Sequence, residues 1–228
     1  MDEQRPLSGL YPFLHGGHKD PAREHQALLE SVRQKSAHSL EVKARFYREH
    51  AEEVVACARA IAQVYRHGGR MFSMGNGGSS CDAAHFAVEF QHPVTAGRPA
   101  LAAMNLVMDT AMLSAVANDL GPRHVFTRQL QAHARRGDGL IGFSTSGNSE
   151  NLMSAFAKAR ELGLVTIGLA GGDGGQMRRS GLLDHCLVVD TDSIHRVQEV
   201  HVSLYHILWD LTHTLLADHR GSAGGQST

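Results

Sequence analysis

Cysteine is scarce and odd in number: Cys57, Cys81 and Cys186 are the three in a chain of 228 residues. Their wide spacing suggests neither a disulfide framework nor a zinc ribbon, so they read as free thiols of a reducing compartment. An excess of charge of one sign is also lacking. Lys and Arg number 22 against 23 Asp and Glu, a formal net charge of −1. That argues against a protein that binds nucleic acid through a broad basic field, because neutralising phosphates needs clustered cations. Long apolar runs are missing too. The longest nearly apolar stretch, Leu162 to Gly171, falls far short of the roughly 20 residues that cross a bilayer. The opening MDEQRPLSGL is acidic and lacks a signal peptide's basic-then-apolar order. The expectation is a cytoplasmic protein with no membrane attachment and no nucleic-acid partner.

What is plentiful is histidine, 16 of 228 residues. It is the side chain whose ordinary pKa lies nearest neutrality, and the commonest metal ligand. A catalytic site rarely needs more than two or three, so the question is which of them converge. The length suits one domain with extensions better than two full domains.

Residues 1–37 mix Pro, Gly and His with little periodicity and read as an extension with one short helix around Pro21 to Lys35. Residues 220–228, RGSAGGQST, read as a disordered tail. From Leu40 to His67 the apolar positions fall largely at helical spacing, with no Pro or Gly until Gly68-Gly69, which predicts a long amphipathic helix. Short apolar runs then alternate with helical stretches. The runs are Arg70–Met74, Ala100–Leu106, Gly139–Ser144, Val165–Ala170 and Asp184–Val189. Continuous apolar runs, each followed by a helix, indicate strands covered on both faces of a mainly parallel sheet. The predicted fold over residues 38–219 is a three-layer α/β/α sandwich around a five-stranded sheet, with ligands bound beyond the carboxyl ends of the strands.

Two strand-to-helix turns are chemically distinctive. The first, Gly75-Asn76-Gly77-Gly78-Ser79-Ser80, can expose backbone amides to an anion and let a ligand approach closely; it also reads as an ordinary tight turn. Its third glycine position in G-x-G-x-x-G is Ser80 and no clear acidic residue follows about 20 positions on, which excludes a nicotinamide cofactor site. The second, Ser144-Thr145-Ser146-Gly147-Asn148-Ser149, brings hydroxyls and amides to a helix N-terminus. That combination suits a phosphate monoester as well as a plain helix cap. It lacks the lysine of a nucleotide-binding P-loop.

On the helix after the first turn, His85 and Glu89 stand four apart and share a face, a spacing at which imidazole and carboxylate can share a divalent metal. The last helix carries Gln198 and His206 among apolar residues. Eight residues separate them, roughly 80° of rotation and about 12 Å of rise. A shared metal would need both side chains extended, or ligands from different subunits. His201, Tyr205 and His213 on that helix read as structural. Asn118-Asp119 closes a helix and suits a turn.

Taken together these segments resemble the phosphoheptose isomerases, members of the sugar isomerase (SIS) domain group that act on sedoheptulose 7-phosphate. The resemblance covers roughly residues 39–219. It rests on GNGGSSCDAAHFAVEF at 75–90, AND at 117–119, FSTSGNS at 143–149, GGDGG at 171–175 and RVQEVHVSLYHIL at 196–208. It implies an SIS-type, flavodoxin-like sheet and a ketose–aldose isomerase that yields D-glycero-D-manno-heptose 7-phosphate through an enediol. It implies one zinc ion per site on His85, Glu89, Gln198 and His206, with Glu89 and His206 as the acid–base pair. It further implies that Asn76, Gly77, Gly78, Glu89, Asn118, Asp119, Ser144, Thr145, Ser146, Ser149 and Gln198 line the substrate, the serine-rich loop holding its phosphate. A homotetramer with sites at subunit interfaces follows from the same likeness. The resemblance breaks after Glu89, where Phe90 to Thr95 stand in place of an arginine-rich stretch before Arg98-Pro99. Two other readings accompany it: a non-catalytic SIS protein acting as an interaction partner, or an isomerase of a different phosphosugar.

Overall fold

The computed structural model describes residues 21–223, with side chains described through Ala217. The chain divides into two compact units, Met1–Glu41 and Val42–Thr228. The helix expected around Pro21 to Lys35 and the one expected from Leu40 run together as a single helix, α1 (Pro21–Arg66). No helix breaker occurs between Lys35 and Leu40, so nothing in the sequence separates them. Residues 1–20 lie outside the described residues. The tail expected over 220–228 overlaps the last helix, which carries on to Ala223; residues 224–228 lie outside the description.

Every predicted strand is present. They are β1 (Met71–Gly75), β2 (Ala103–Asn105), β3 (Gly139–Ser144), β4 (Val165–Gly171) and β5 (His185–Val189). The helices between them are α2 (Gly78–Gln91), α3 (Thr110–Asp119), α4 (Val125–His133), α5 (Glu150–Leu162), α6 (Gly175–Arg179) and α7 (Ile194–Ala223), with a 3-10 turn at Pro122–His124. The sheet order is β2-β1-β3-β4-β5 and every pairing is parallel. This is the flavodoxin-like doubly wound arrangement, and its order reverses between β1 and β3.

The sequence runs of the strands are continuously apolar because both faces are covered. Met71, Ile141, Phe143, Ile167, Leu169, Leu187 and Val189 point into one core with Val54 and Ile61 of α1, Phe86 and Phe90 of α2, and Val200, Leu204 and Leu208 of α7. Phe72, Met74, Leu140, Ala170 and Val188 point the other way, against Val116 of α3, Leu130 of α4 and Phe156 of α5. A strand with alternation between two apolar layers has no polar phase, which is why period-two patterning is absent. The consequence for function is positional. The loops after β1 and β3, which carry the two distinctive turns, lie side by side at the switch point, and α2 and α7 share one layer.

Candidate functional site

Three features build the site: the turn after β1, the turn after β3, and the pairing of α2 with α7. In the first turn Gly77 has φ +53 and ψ −125, a positive-φ conformation that glycine adopts without strain. Asn76 is fixed from outside the turn. Its amide and that of Asn151, on the first turn of α5, form a reciprocal pair at 2.9 Å in each direction. Sequence reading did not single out Asn151, since a lone Asn near a helix start is a common cap. Asn76 and Gly77 line a cavity of about 420 Å³ together with Thr110, Leu113 and Ala117 of α3. The neighbouring Asn118 and Asp119 are exposed at the end of α3 and bond to each other at 2.8 Å.

In the turn after β3, Ser144 is buried and its hydroxyl lies 3.1 Å from that of Ser149. It also accepts from the Gly147 amide at 3.1 Å. Ser146 is exposed and accepts from Asn148 N–H at 3.3 Å, and Thr145 is half-buried. The Ser149 hydroxyl makes no cap bond to α5, and Leu152 N–H in the first turn donates instead to Asn151 Oδ1 at 3.0 Å, while the N-terminal turn of α5 presents its positive dipole end to the loop. The loop is backed by the end of the glycine-rich segment 171–175, where Gly174 packs on Gly147 and Gly175 on Ser146 too closely for a Cβ, and by the start of α6, where Met177 N–H donates to the Gly147 carbonyl at 2.9 Å and Gln176 N–H to Asn148 Oδ1 at 3.0 Å. That gives the GGDGG segment a physical role its sequence did not reveal, as the support of the serine loop.

The two helices behind this rim run in the same direction without slip. Gln198 places its amide against Gly78, where a Cβ would collide with it. Tyr205 meets His85 and Trp209 meets Glu89, each 120 positions apart in the chain. The offset between Gly78 and Gln198 is the same. One turn of α7 therefore matches one turn of α2, and His206 falls beside His85 and Glu89. His85 Nε2 lies 3.0 Å from Glu89 Oε1. The His85 and His206 rings stand 5.0 Å apart at 83°. One ligand atom from each of His85, Glu89 and His206 lies within 4.8 Å of the others, and all three residues are half-buried. Two imidazole nitrogens and a carboxylate oxygen at that separation fit a divalent ion that takes N and O donors. Gln198, roughly 12 Å of helix rise before His206, has its amide at the glycine turn.

Electrostatics differ among these groups. Burial lowers the His206 pKa, His85 adds to the effect and Glu89 opposes it. Asp82, one turn before His85, is pushed up to about 6 by burial, with His85 pulling the other way. Burial, helped by the Asp82 and Glu89 carboxylates, pushes the Tyr205 phenol up, so it remains protonated. Glu89 is anchored through its backbone, where Trp209 Nε1–H donates to its carbonyl at 2.9 Å. Arg98 lies 4.3 Å over the Trp209 ring and pairs with Asp210. The cation in the segment that breaks the family pattern is thus committed to α7. Sequence reading missed Trp209, because an aromatic in an apolar helix reads as core.

The structural reading of His201 holds. It is fully buried, its Nε2–H donates to the Ala170 carbonyl at 3.4 Å, and burial pulls its pKa down to about 4 despite that bond. An unfolded histidine takes up its proton near pH 6.5, so below that pH the unfolded chain binds more protons. Stability is full above about pH 6.5 and is lost as pH falls toward 4, by about 3 kcal/mol at this one position. His201→Leu should flatten that dependence, read as the difference in denaturant midpoint between pH 7 and pH 4.5. A variant that loses stability as steeply as the parent would contradict this assignment.

Known proteins match at the levels of family, sequence and structure. Residues 36–171 match the SIS domain family. The chain is 43% identical over 189 residues to the phosphoheptose isomerase of Chlorobium phaeovibrioides, covering 82% of this chain and 88% of the relative. It superposes on a solved phosphoheptose isomerase from Neisseria gonorrhoeae with a TM-score of 0.76 at 37% identity, over 82% of this chain and 99% of that one. A phosphoheptose isomerase from Francisella tularensis gives a TM-score of 0.78 at 30% identity, over 82% and 98%. No helix among the described residues is long and apolar enough to cross a membrane.

Proposed function

Since the chain belongs to the phosphoheptose isomerases of the SIS domain family, we propose that it interconverts sedoheptulose 7-phosphate and D-glycero-D-manno-heptose 7-phosphate through a cis-enediol. The observation that carries this reading is the meeting of Glu89 and His206, from helices far apart in sequence, in one cluster with His85. A non-catalytic role would not require a carboxylate and an imidazole to converge.

The phosphate sits on the turn after β3, where Ser144, Thr145, Ser146 and Ser149 supply hydroxyls and α5 supplies amides. This also accounts for binding an anion with a near-neutral chain: the donors are dipoles, not cations. Asn76, Gly77, Gly78, Asn118, Asp119 and Gln198 take the sugar's hydroxyls. Glu89 removes a proton from C1 while His206 gives one to the C2 oxygen, forming the enediol. Glu89 then returns its proton to C2 as His206 takes one from the C1 hydroxyl, leaving the aldehyde.

His85, Glu89 and His206 would hold a zinc ion, with Gln198 as the fourth ligand that the family likeness implies. Such an ion supplies electrophilic stabilisation to the oxygens of the enediolate. A homotetramer with sites between subunits, in the cytoplasm, completes the reading, with residues 38–219 as the isomerase domain.

The test is a coupled assay with sedoheptulose 7-phosphate, with and without a chelator. Turnover is expected, and chelation should lower it by roughly 100-fold or more. Turnover with only another phosphosugar would reassign the substrate; none with any sugar would sink the enzyme reading.

A further inference from the structure

We propose that Tyr205 is a positioning residue: its phenol holds His85 by Nδ1 and keeps Nε2 turned toward Glu89 and His206. The inference rests on the site reading above.

The Tyr205 side chain is 1% exposed, and its hydroxyl lies 2.6 Å from His85 Nδ1. On the opposite side of that ring, Nε2 lies 3.0 Å from Glu89 Oε1. The two nitrogens of His85 are thereby divided between a buried phenol and the catalytic cluster. The Tyr205 ring is itself wedged in place. It stands edge-on to His85 at 5.2 Å and 73°, to His206 at 4.8 Å and 66°, and to Phe143 of β3 at 6.0 Å and 87°. A ring packed on three sides leaves its hydroxyl little freedom, so the hydrogen bond sets the orientation of His85 and not the reverse.

A hydroxyl suits this position because it both donates and accepts. With Nε2–H facing Glu89, the phenol donates to Nδ1. When Nε2 binds a metal through its lone pair, the neutral imidazole carries its one proton on Nδ1 instead, and the phenol turns to accept it. Either tautomer is satisfied without moving the ring. A backbone carbonyl could serve only the second, and a phenylalanine neither. Outer partners of this kind typically change metal affinity by roughly 10–100-fold when removed.

The experiment compares the full-length protein with Tyr205→Phe, which keeps the ring and removes the bond. Zinc affinity is measured by competition with a chromophoric chelator. The variant should bind zinc roughly 10–100-fold more weakly. Its kcat should fall at limiting zinc and recover largely at saturating zinc, with KM for the sugar phosphate little changed. A purely structural role would lower the melting temperature and leave zinc affinity within twofold of the parent, which overturns the proposal. Failure of the parent to bind zinc overturns it as well. Should the variant fold poorly, long-range proton–nitrogen NMR of the zinc-loaded parent decides instead: a proton on Nδ1 of His85 supports the proposal and metal on Nδ1 overturns it. A parent that binds zinc but isomerises no sugar would sink the functional reading, while the affinity comparison still judges Tyr205.

Discussion

Glu89→Gln should lower kcat for the sugar phosphate by about 10³-fold, within the range expected on removing a positioned general base, while phosphosugar binding stays measurable. The substitution is close to isosteric and leaves intact the bond from Trp209 Nε1–H to the backbone carbonyl of residue 89, so the helix register is preserved. What disappears is the carboxylate to which the proposed mechanism gives the C1 proton. A second readout separates this loss from weakened metal binding. Exchange of the substrate's C1 hydrogen with deuterated solvent should vanish along with turnover, even at saturating zinc. Unchanged turnover would remove Glu89 from the mechanism.

Gly147→Ala is expected to damage stability and substrate binding together. Gly147 has φ +64, and a Cβ there would run into the backbone carbonyl of Gly174. The left-handed backbone alone costs roughly 1–2 kcal/mol for a residue with a Cβ. The collision is with main chain of the supporting loop, which cannot rotate aside, so a total of about 3 kcal/mol follows. In a chain of this size that lowers the melting temperature by roughly 6–12 °C. The displaced loop carries Ser144 to Ser149, so KM for the phosphosugar should rise at least tenfold. Gly77 supplies the comparison: its φ is +53 with ψ −125 but open space surrounds it, so Gly77→Ala should cost only the backbone strain, roughly 1–3 kcal/mol, with no collision and no displacement of the serine loop. Equal losses at the two glycines would show that the contact with Gly174 is not the cause.

Much of the fold was legible because the signals are local. Continuous apolar runs mark strands covered on both faces, as Phe72 and Ile141 on opposite cores illustrate. The two misread boundaries also have local causes. Nothing between Lys35 and Leu40 stops a helix, so low periodicity there was mistaken for a break. At the other end, Gly221 and Ser222 disfavour helix, yet α7 extends through them. Periodicity placed Tyr205 among the structural residues, and it is indeed buried. Burial, however, says nothing of what the polar tip of the side chain touches.

The sequence by itself determined the strand and helix order, the amide-rich and hydroxyl-rich turns, and His85 and Glu89 as a same-face pair, because each depends on residues within a turn or two of one another. It named Gln198 and His206 without fixing where either stands relative to that pair. Only the tertiary structure decided their placement. The packing of α7 on α2 in parallel, with no slip, sets Gln198 against the glycine turn and His206 beside Glu89. It also sets Tyr205 on His85. That alignment comes from how two apolar helix faces interlock over the sheet, a relation between residues 120 positions apart that no local spacing encodes.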